Sequence, residues 1–424
     1  MVKHRTQLSS LLFIIILLAG QIAAQEYAFM YMANKSTTAS VATATWHTVG
    51  STTNNEFTSG LTSTNWSYGS NRLKASASLS EKIYLVKLSL SFGADIATWQ
   101  IGISKNGSIP SNILYRRTIS SATKDAGVVY GVGYMTLTAN DSIELCVKQE
   151  SGSSADFDPF HAQVVLVEMT DNSTNYYGGM KIENNVTAQT GIPASFTPVT
   201  TTYSINSQNN DWTVTSNELI AGSSAAGTYL VSFSTSYSGK GNDNAPETFE
   251  IGIALGTDTD PTTIITKRKT ASADVGNICG VGLLTVSASD PLRLELKSAK
   301  INGELTIYYS SINLIRITGT STAPRGHMTI SSATDQTISD NNFTTISGFS
   351  DGSNSNNWTF SSNALNATSG TSSAGNYLVD YAVSFQKAAD TGTDEAIASF
   401  SLFLNATEQT ELTIKRKLSD DSDV

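Results

Sequence analysis

The chain has 424 residues, a formal net charge of −10 and only 15% charged residues. An acidic surface repels phosphate backbones and anionic headgroups, which argues against nucleic acid or membrane lipid as a partner. Two cysteines exclude a disulfide-rich scaffold, so each domain must be stabilised by its hydrophobic core.

The first 24 residues have the layout of a secretory signal peptide. A basic start at Lys3 to Arg5 precedes an apolar run from Leu11 to Leu18, and small residues lead to a cleavage point after Ala24. The apolar run is shorter than the roughly 20 residues of a membrane-spanning helix. We therefore predict a signal peptide at 1–24 and an exported mature chain, secreted or at the cell surface, without membrane insertion after cleavage. An uncleaved membrane anchor is the alternative.

After this segment the sequence repeats at a fixed interval. The tryptophans Trp66, Trp212 and Trp358 lie 212 − 66 = 146 and 358 − 212 = 146 residues apart. Each is followed five residues later by an asparagine and then by a Tyr-Leu-Val motif, at Asn71 and Tyr84, Asn217 and Tyr229, and Asn363 and Tyr377. The interval is too long for a solenoid unit and matches domains of about 100–150 residues. We predict copy 1 at 25–170, copy 2 at 177–318 and copy 3 at 326–424.

Copy 3 is expected to be incomplete at its C-terminus. In copy 2, an apolar run ending near Ile317 closes the domain after Lys269, whereas in copy 3 only Leu418 to Val424 follow Lys417. The difference 317 − 269 puts the missing part at about 48 residues. We predict that the sequence is a fragment of a longer protein.

Each copy has the pattern of short strands separated by turns. The residue types alternate with a period of two in three segments of copy 2: Thr228 to Ser234, Thr248 to Ile253 and Leu292 to Leu296. Polar or Gly-rich segments lie between them. Strict alternation places one face of a strand on a core and the other in water. Nowhere in the mature chain do apolar residues recur at helical spacing over three helical turns. The pattern predicts an all-β fold, with about eight to ten strands per copy in an antiparallel sandwich.

The landmarks of copy 2 follow a recognisable order. They are Phe196-Thr197-Pro198-Val199, Ala226-Gly227-Thr228-Tyr229-Leu230-Val231-Ser232-Phe233, Asp290 and Ser311-Ile312-Asn313-Leu314-Ile315. This order resembles the jelly roll of the globular head of complement component 1, subcomponent q, and of the tumour necrosis factor superfamily. The resemblance implies sandwiches that associate in threes about an axis, with ligands docking at the grooves or the apex. Copy 1 departs from it, with Trp46 in place of the first Phe and no Ala-Gly before Tyr84. A different Greek-key sandwich is the alternative.

The histidines give no sign of a repeated catalytic site. His47, His161 and His327 occupy non-equivalent positions, whereas a catalytic base duplicated with its domain would recur at the repeat interval. No His-x-x-x-His, Cys-x-x-Cys or phosphate-binding Gly-Lys-Thr loop occurs. We predict that the protein is not an enzyme, and a hydrolase using two carboxylates is the alternative.

Acidic loops are the candidate metal sites. Clustered carboxylates offer the oxygen ligands that Ca²⁺ prefers. The candidates are Asp243, Asp258 and Asp260 in copy 2 and Asp390 and Asp394 in copy 3. Copy 1 offers a single carboxylate there, so solvated loop acids without any cofactor are the alternative.

A basic cluster recurs in every copy, at Arg116-Arg117, Lys267 to Lys269 and Lys415 to Lys417. One interpretation is a solvent-facing strand whose charges prevent edge pairing. The other is contact with a ligand carboxylate or with an acidic patch on a neighbouring copy. The recurring tryptophans are interpreted as core or rim packing rather than sugar platforms. Cys146 and Cys279 align with Glu295 and Tyr130, so no shared disulfide is expected.

Together these features predict an exported, non-enzymatic binding or adhesion protein whose ligand is an extracellular protein or glycan. Three copies in one chain would form a trimer internally, with Tyr308 and Tyr309 as candidate contact positions. A homo-oligomer and independent beads on a string are the alternatives for assembly. The alternative function is a structural spacer or stalk subunit of a surface layer or appendage.

Overall fold

The computed structural model describes most of the chain. The described residues are 6–18, 26–33, 38–50, 57–109, 113–119, 126–150, 154–169, 176–205, 209–258, 260–261, 264–271, 274–300, 302–317, 325–330, 336–338, 342–352, 358–368, 377–387 and 396–418. Within them the regular secondary structure is β-strand, without helix. It follows that no helix of these residues is long and apolar enough to cross a membrane. The sequence predicts linkers between the copies at Met169 to Gly178 and at Gly319 to Gly326, and of these segments residues 170–175 and 319–324 lie outside the described residues.

The strands are numbered in chain order, and the first is β1 (Thr6–Leu18). Copy 1 contains β2 (Tyr27–Met32), β3 (Ala39–Val41), β4 (His47–Thr48), β5 (Thr58–Thr62), β6 (Trp66–Gly69), β7 (Arg72–Ala75), β8 (Lys82–Ala94), β9 (Ala97–Lys105), β10 (Leu114–Ile119), β11 (Ala126–Leu137), β12 (Ser142–Gln149) and β13 (Ala155–Met169). Copy 2 contains β14 (Tyr177–Ile182), β15 (Gln189–Ile192), β16 (Thr197–Pro198), β17 (Ser204–Ile205), β18 (Trp212–Thr215), β19 (Glu218–Ala221), β20 (Gly227–Lys240), β21 (Glu247–Leu255), β22 (Ile265–Thr270), β23 (Gly276–Val286), β24 (Pro291–Ser298) and β25 (Gly303–Arg316). Copy 3 contains β26 (Arg325–Ile330), β27 (Gln336–Ile338), β28 (Ser350–Asp351), β29 (Trp358–Ser361), β30 (Ala364–Ala367), β31 (Leu378–Lys387), β32 (Ala396–Leu404) and β33 (Thr407–Leu418).

Copies 1 and 2 each contain two antiparallel sheets, and the strand orders of these sheets are equivalent in the two copies. In copy 1 the sheets have the orders β11-β8-β13-β2-β5 and β10-β9-β12-β7-β6, and in copy 2 the orders β23-β20-β25-β14-β17 and β22-β21-β24-β19-β18. This is the strand order of a jelly-roll sandwich. The predicted fold of tandem all-β sandwiches is confirmed. Among the described residues each of these copies has twelve strands and not the predicted eight to ten, because pieces of two to four residues accompany the longer strands that the alternation predicts.

The core of each copy lies between its two sheets. In copy 1, Phe92, Trp99 and Phe157 are buried together, with ring centroids 5.0 to 6.5 Å apart. In copy 2, Tyr237 packs edge-on against Phe249 at 6.2 Å. Burying one such side chain contributes about 1.5–3 kcal/mol. Each full copy therefore has a core of its own.

The recurring tryptophan begins the same hairpin in all three copies. Its ring meets a tyrosine ring edge-on, at centroid distances of 5.4 Å (Trp66–Tyr84), 5.3 Å (Trp212–Tyr229) and 5.3 Å (Trp358–Tyr377). Trp66 and Trp212 are buried, which confirms core packing, and Trp358 is half-buried.

The recurring asparagine holds the turn of this hairpin. Asn71, Asn217 and Asn363 have φ angles of 60°, 66° and 58°, and the serine before each also has a positive φ. Two successive positive φ angles define the type I′ turn, which asparagine tolerates better than most residues. Each asparagine also accepts a backbone hydrogen bond through Oδ1. The spacing of Trp and Asn is therefore conformational in origin.

One expectation from the alternation is wrong for the central strands β8 and β20. The polar face of β20 was expected in water, but Ser232, Ser234 and Ser236 are 3%, 0% and 0% exposed. In β8, Lys87 and Ser91 are 4% and 0% exposed. These faces are covered by a neighbouring copy, so both faces of the central strands are buried.

Copy 3 is completed in an unusual way. Its last strand, β33, is the counterpart of β10 and β22, and β1 lies between β26 and β31 as β25 lies between β14 and β20. The register also agrees, because Met328 pairs with Ile15 as Met180 pairs with Ile312. Part of the predicted signal peptide is thus a strand of copy 3 in this structure, and its cleavage stays a prediction.

Candidate functional site: the contacts between the copies

One hydrogen bond occurs three times between copies. A backbone N–H of the basic strand donates to a serine hydroxyl on the central strand of the next copy. The bonds are Arg116 N to Ser236 Oγ (3.0 Å), Lys267 N to Ser384 Oγ (3.2 Å) and Lys415 N to Ser91 Oγ (3.1 Å). They run from copy 1 to copy 2, from copy 2 to copy 3 and from copy 3 to copy 1. Each copy therefore contacts both of the others in the same way.

The donors and acceptors occupy equivalent positions. Ser91, Ser236 and Ser384 each lie seven residues after the tyrosine of the Tyr-Leu-Val motif. All three hydroxyl-bearing residues are buried, at 0%, 0% and 3% exposure. The sequence interpretation missed them because a serine on the alternate face of a strand ordinarily faces water. Their recurrence at one position in every copy was the available signal.

Copies 1 and 2 share a polar and apolar interface around β11 and β25. The Tyr115 hydroxyl is 2.7 Å from Ser311 Oγ, and Ser311 Oγ donates to the Val132 carbonyl at 2.6 Å. The Tyr134 hydroxyl donates to the Leu314 carbonyl at 2.8 Å. Burial raises the pKa of Tyr115 to about 12, so its phenol is neutral. The part of the interface around Tyr115, Tyr134 and Ser311 is therefore formed by neutral hydrogen-bonding groups shielded from water.

The predicted contact positions Tyr308 and Tyr309 lie at this interface. The Arg116 guanidinium of copy 1 lies over the Tyr308 ring at 4.7 Å, and two nitrogens of that guanidinium bind Glu150 at 2.6 Å each. Tyr309 is 3% exposed and belongs to the hydrophobic cluster of copy 1. Both tyrosines thus contact the neighbouring copy.

Copies 2 and 3 meet through an apolar cluster. Leu230, Val281 and Leu283 of copy 2 pack with Ala382 and the partly buried Leu378 of copy 3. This cluster is separate from the core of copy 2. Its side chains are therefore buried by the neighbouring copy and not by their own sandwich.

Copies 3 and 1 meet where β33 crosses β8 and β13. Ser91 Oγ accepts from Lys415 N and donates to Lys415 O at 2.6 Å, so it bonds both backbone groups of one residue. The Lys415 ammonium lies 6.0 Å from the Phe160 ring. Burial, and secondarily the charge of Lys415, lowers the pKa of the neighbouring His161 to about 4. His161 is therefore neutral near pH 7.

The recurring arginines converge on one carboxylate. Arg117 Nη1 of copy 1 and Arg268 Nη2 of copy 2 are each 3.3 Å from a different oxygen of Asp274. Burial alone would raise the pKa of the Asp274 carboxyl, but the charges of Arg268 and Arg117, with Arg416 of copy 3, hold it below its usual value. Arg117 and Arg268 are both 4% exposed, so the solvent-facing interpretation of these residues is wrong. Arg117 instead pairs with an acidic residue of the neighbouring copy 2, whereas Arg268 pairs with the same acid within its own copy.

The candidate calcium ligands lie apart. Asp243 precedes β21 and Asp258 and Asp260 follow it, so the two loops stand at opposite ends of a nine-residue strand, roughly 30 Å long. Asp243 lies 3.6 Å from the Lys300 ammonium, and Asp258 and Asp260 are exposed. Asp390 and Asp394 lie outside the described residues. Across the described part of the chain, no three His, Cys, Asp or Glu residues form a group that could hold a metal, and calcium binding stays a prediction.

The other titratable candidates are the histidines and the two cysteines. Burial is the main cause that lowers the pKa values of His161 and His327 to about 4, so neither is poised to act as a base near neutrality. Cys146 and Cys279 are both free, which confirms that they do not share a disulfide.

No family model matches the sequence, and comparison with curated proteins finds no match. The resemblance to the complement head and tumour necrosis factor families therefore stays a prediction.

Proposed function

We propose that this chain is an exported, non-enzymatic binding or adhesion protein whose three sandwich copies close into a single-chain trimer. The observation that carries the proposal is the backbone-to-serine hydrogen bond that recurs between copies 1 and 2, 2 and 3, and 3 and 1. The three bonds run from each copy to the next in the same direction and return to the first copy, which is the arrangement of a closed ring. Independent beads on a string have no reason to repeat them.

Burial supports a ring over an elongated spacer. A stalk of copies in line would expose Leu230, Val281 and Leu283, which the structure buries against copy 3. Exposing a Val or Leu costs about 1.5–3 kcal/mol. The same stalk would leave the buried Arg117 of copy 1 away from Asp274. The spacer function is therefore our second choice.

A closed ring suits binding because it presents related surfaces together. Linked sites gain an avidity of about 10²- to 10⁴-fold over one site when geometry permits joint engagement. We assign the ligand to extracellular proteins or glycans, since the acidic chain repels polyanions. One exposed contact surface is formed in copy 3 by Phe343 and Phe403, whose rings are 5.3 Å apart and whose exposed fractions are 47% and 49%. Exposed aromatic side chains are enriched at binding interfaces.

The test compares the full chain with a ring-opening variant on arrays of glycans and extracellular proteins. Val281→Arg places a charge in the apolar contact with copy 3 while leaving the core of copy 2 untouched. Thr285→Arg, an exposed position on the same strand, is the matched control. We expect saturable binding by the full chain and the control, and at least tenfold weaker binding by Val281→Arg. Absence of saturable binding by the full chain would refute the binding function.

A further inference from the structure

Equivalent positions on the three central strands carry three different side chains. Lys87, Ser232 and Asp380 each lie three residues after the tyrosine of the Tyr-Leu-Val motif, on β8, β20 and β31. Their exposed fractions are only 4%, 3% and 7%. Lys87 Nζ of copy 1 forms an ion pair with Asp380 Oδ2 of copy 3. A basic, a neutral and an acidic residue therefore occupy one buried position in the three copies.

Neighbouring residues show that all three copies meet at this point. Tyr130 of β11 and Cys279 of β23 are also equivalent, because they pair with Ser89 and Ser234 at the same register. Burial raises the pKa values of both side chains, and the negative charge of Asp380 raises them further. Asp380 of copy 3 pairs with Lys87 of copy 1, and Cys279 of copy 2 packs against the apolar cluster that contains Ala382, two residues after Asp380 on β31. The five side chains form a meeting point, which we call the axis cluster (Lys87, Tyr130, Ser232, Cys279 and Asp380).

The charges of the axis cluster suit one combination of copies. Three copies of type 1 would place three lysines here, and three of type 3 would place three aspartates, in each case as buried like charges. A buried charge is tolerated when it is paired and is strongly unfavourable when it is not. One lysine, one serine and one aspartate leave the cluster neutral. Three serines would be neutral as well, but a ring with one copy of each type is the neutral combination in which the buried charges of Lys87 and Asp380 are paired.

We propose that the axis cluster selects the neighbours in the ring, so that copy 1 accepts beside it a copy with an acid at this position and rejects a second copy of its own type. This inference rests on the proposed single-chain ring. It makes the three copies non-interchangeable and directs closure within one chain, since a chain supplies one copy of each type. A charged residue at a buried contact position is known to specify partners in other assemblies.

The test is a charge swap in the full chain, followed by small-angle scattering and equilibrium unfolding. Lys87→Asp puts two acids in the axis cluster, Asp380→Lys puts two lysines there, and the double variant restores one of each with the positions exchanged. We expect each single variant to raise the unfolding equilibrium constant at least about 100-fold. The double variant should return to within about tenfold of the unsubstituted chain and should have its compact size.

The outcomes separate this inference from the proposed function. If the unsubstituted chain is extended in solution, the ring itself is wrong. If that chain is compact but the single variants are equally compact and stable, only neighbour selection is overturned. A double variant as damaged as the sum of the two single variants would overturn it as well. The double variant keeps the test informative even where a single variant fails to fold.

Discussion

Removing one serine of the repeated hydrogen bond gives the sharpest energetic test of the inter-copy contacts. Ser236 Oγ accepts from Arg116 N at 3.0 Å and from Asn277 Nδ2 at 3.3 Å, and Ser236 is fully buried. Ser236→Ala leaves the Arg116 N–H without this acceptor at a place that water does not reach. A buried donor left unsatisfied costs about 1–3 kcal/mol. We expect a loss of this size in the free energy of unfolding, measured by urea titration.

The equivalent substitutions supply an internal check. Ser384→Ala and Ser91→Ala remove the same acceptor at the other two interfaces, so each is expected to cost a similar amount. Ser67→Ala is the control, because Ser67 is exposed and its bond to the Lys74 carbonyl is 3.3 Å long. Its effect should be below about 0.5 kcal/mol. The reasoning is refuted if Ser236→Ala is as mild as the control.

Three further predictions follow from the charges and from β1. Folding lowers the pKa of His161 from 6.5 to about 4, so between these pH values the unfolded chain binds a proton that the folded chain does not. The free energy of unfolding should therefore fall as the pH drops through this window. In His161→Gln the dependence of the free energy of unfolding on pH should be weaker. Asp274→Asn leaves the buried Arg117 and Arg268 without their shared carboxylate, so it should lower the free energy of unfolding by roughly 3–5 kcal/mol, measured by urea titration. An unchanged urea midpoint would contradict that pairing. Removing residues 1–24 takes away β1, so β26 and β31 should lose protection against hydrogen exchange. Adding a peptide with the β25 sequence should restore that protection, and a peptide with the scrambled sequence should not.

The sequence was sufficient to predict the domain repeat and the all-β class. The alternation in Thr228 to Ser234 depends only on local geometry, and Trp66 and Asn71 recur because one hairpin needs a type I′ turn with an aromatic pair beside it. Such features are decided within a single copy. They can therefore be recognised without knowing how the copies meet.

The contacts between copies could not be predicted in the same way. Ser236 and Arg117 have the residue types of solvent-exposed strand positions, and their burial depends on the face of another copy. The pairing of Lys87 with Asp380 joins positions 293 residues apart and has no local signature. The position of β1 between β26 and β31 likewise has no local signature in the sequence, and the signal peptide stays a prediction.

The central claim is that the three copies close on one another, and small-angle X-ray scattering of the full chain tests it most directly. A compact body of this length has a radius of gyration of about 22 Å. Three separate domains in line, each about 14 Å in radius of gyration and about 40 Å from the next, would give roughly 35 Å. We predict a value near the smaller figure, unchanged by dilution. A radius near the larger figure would contradict the closed ring.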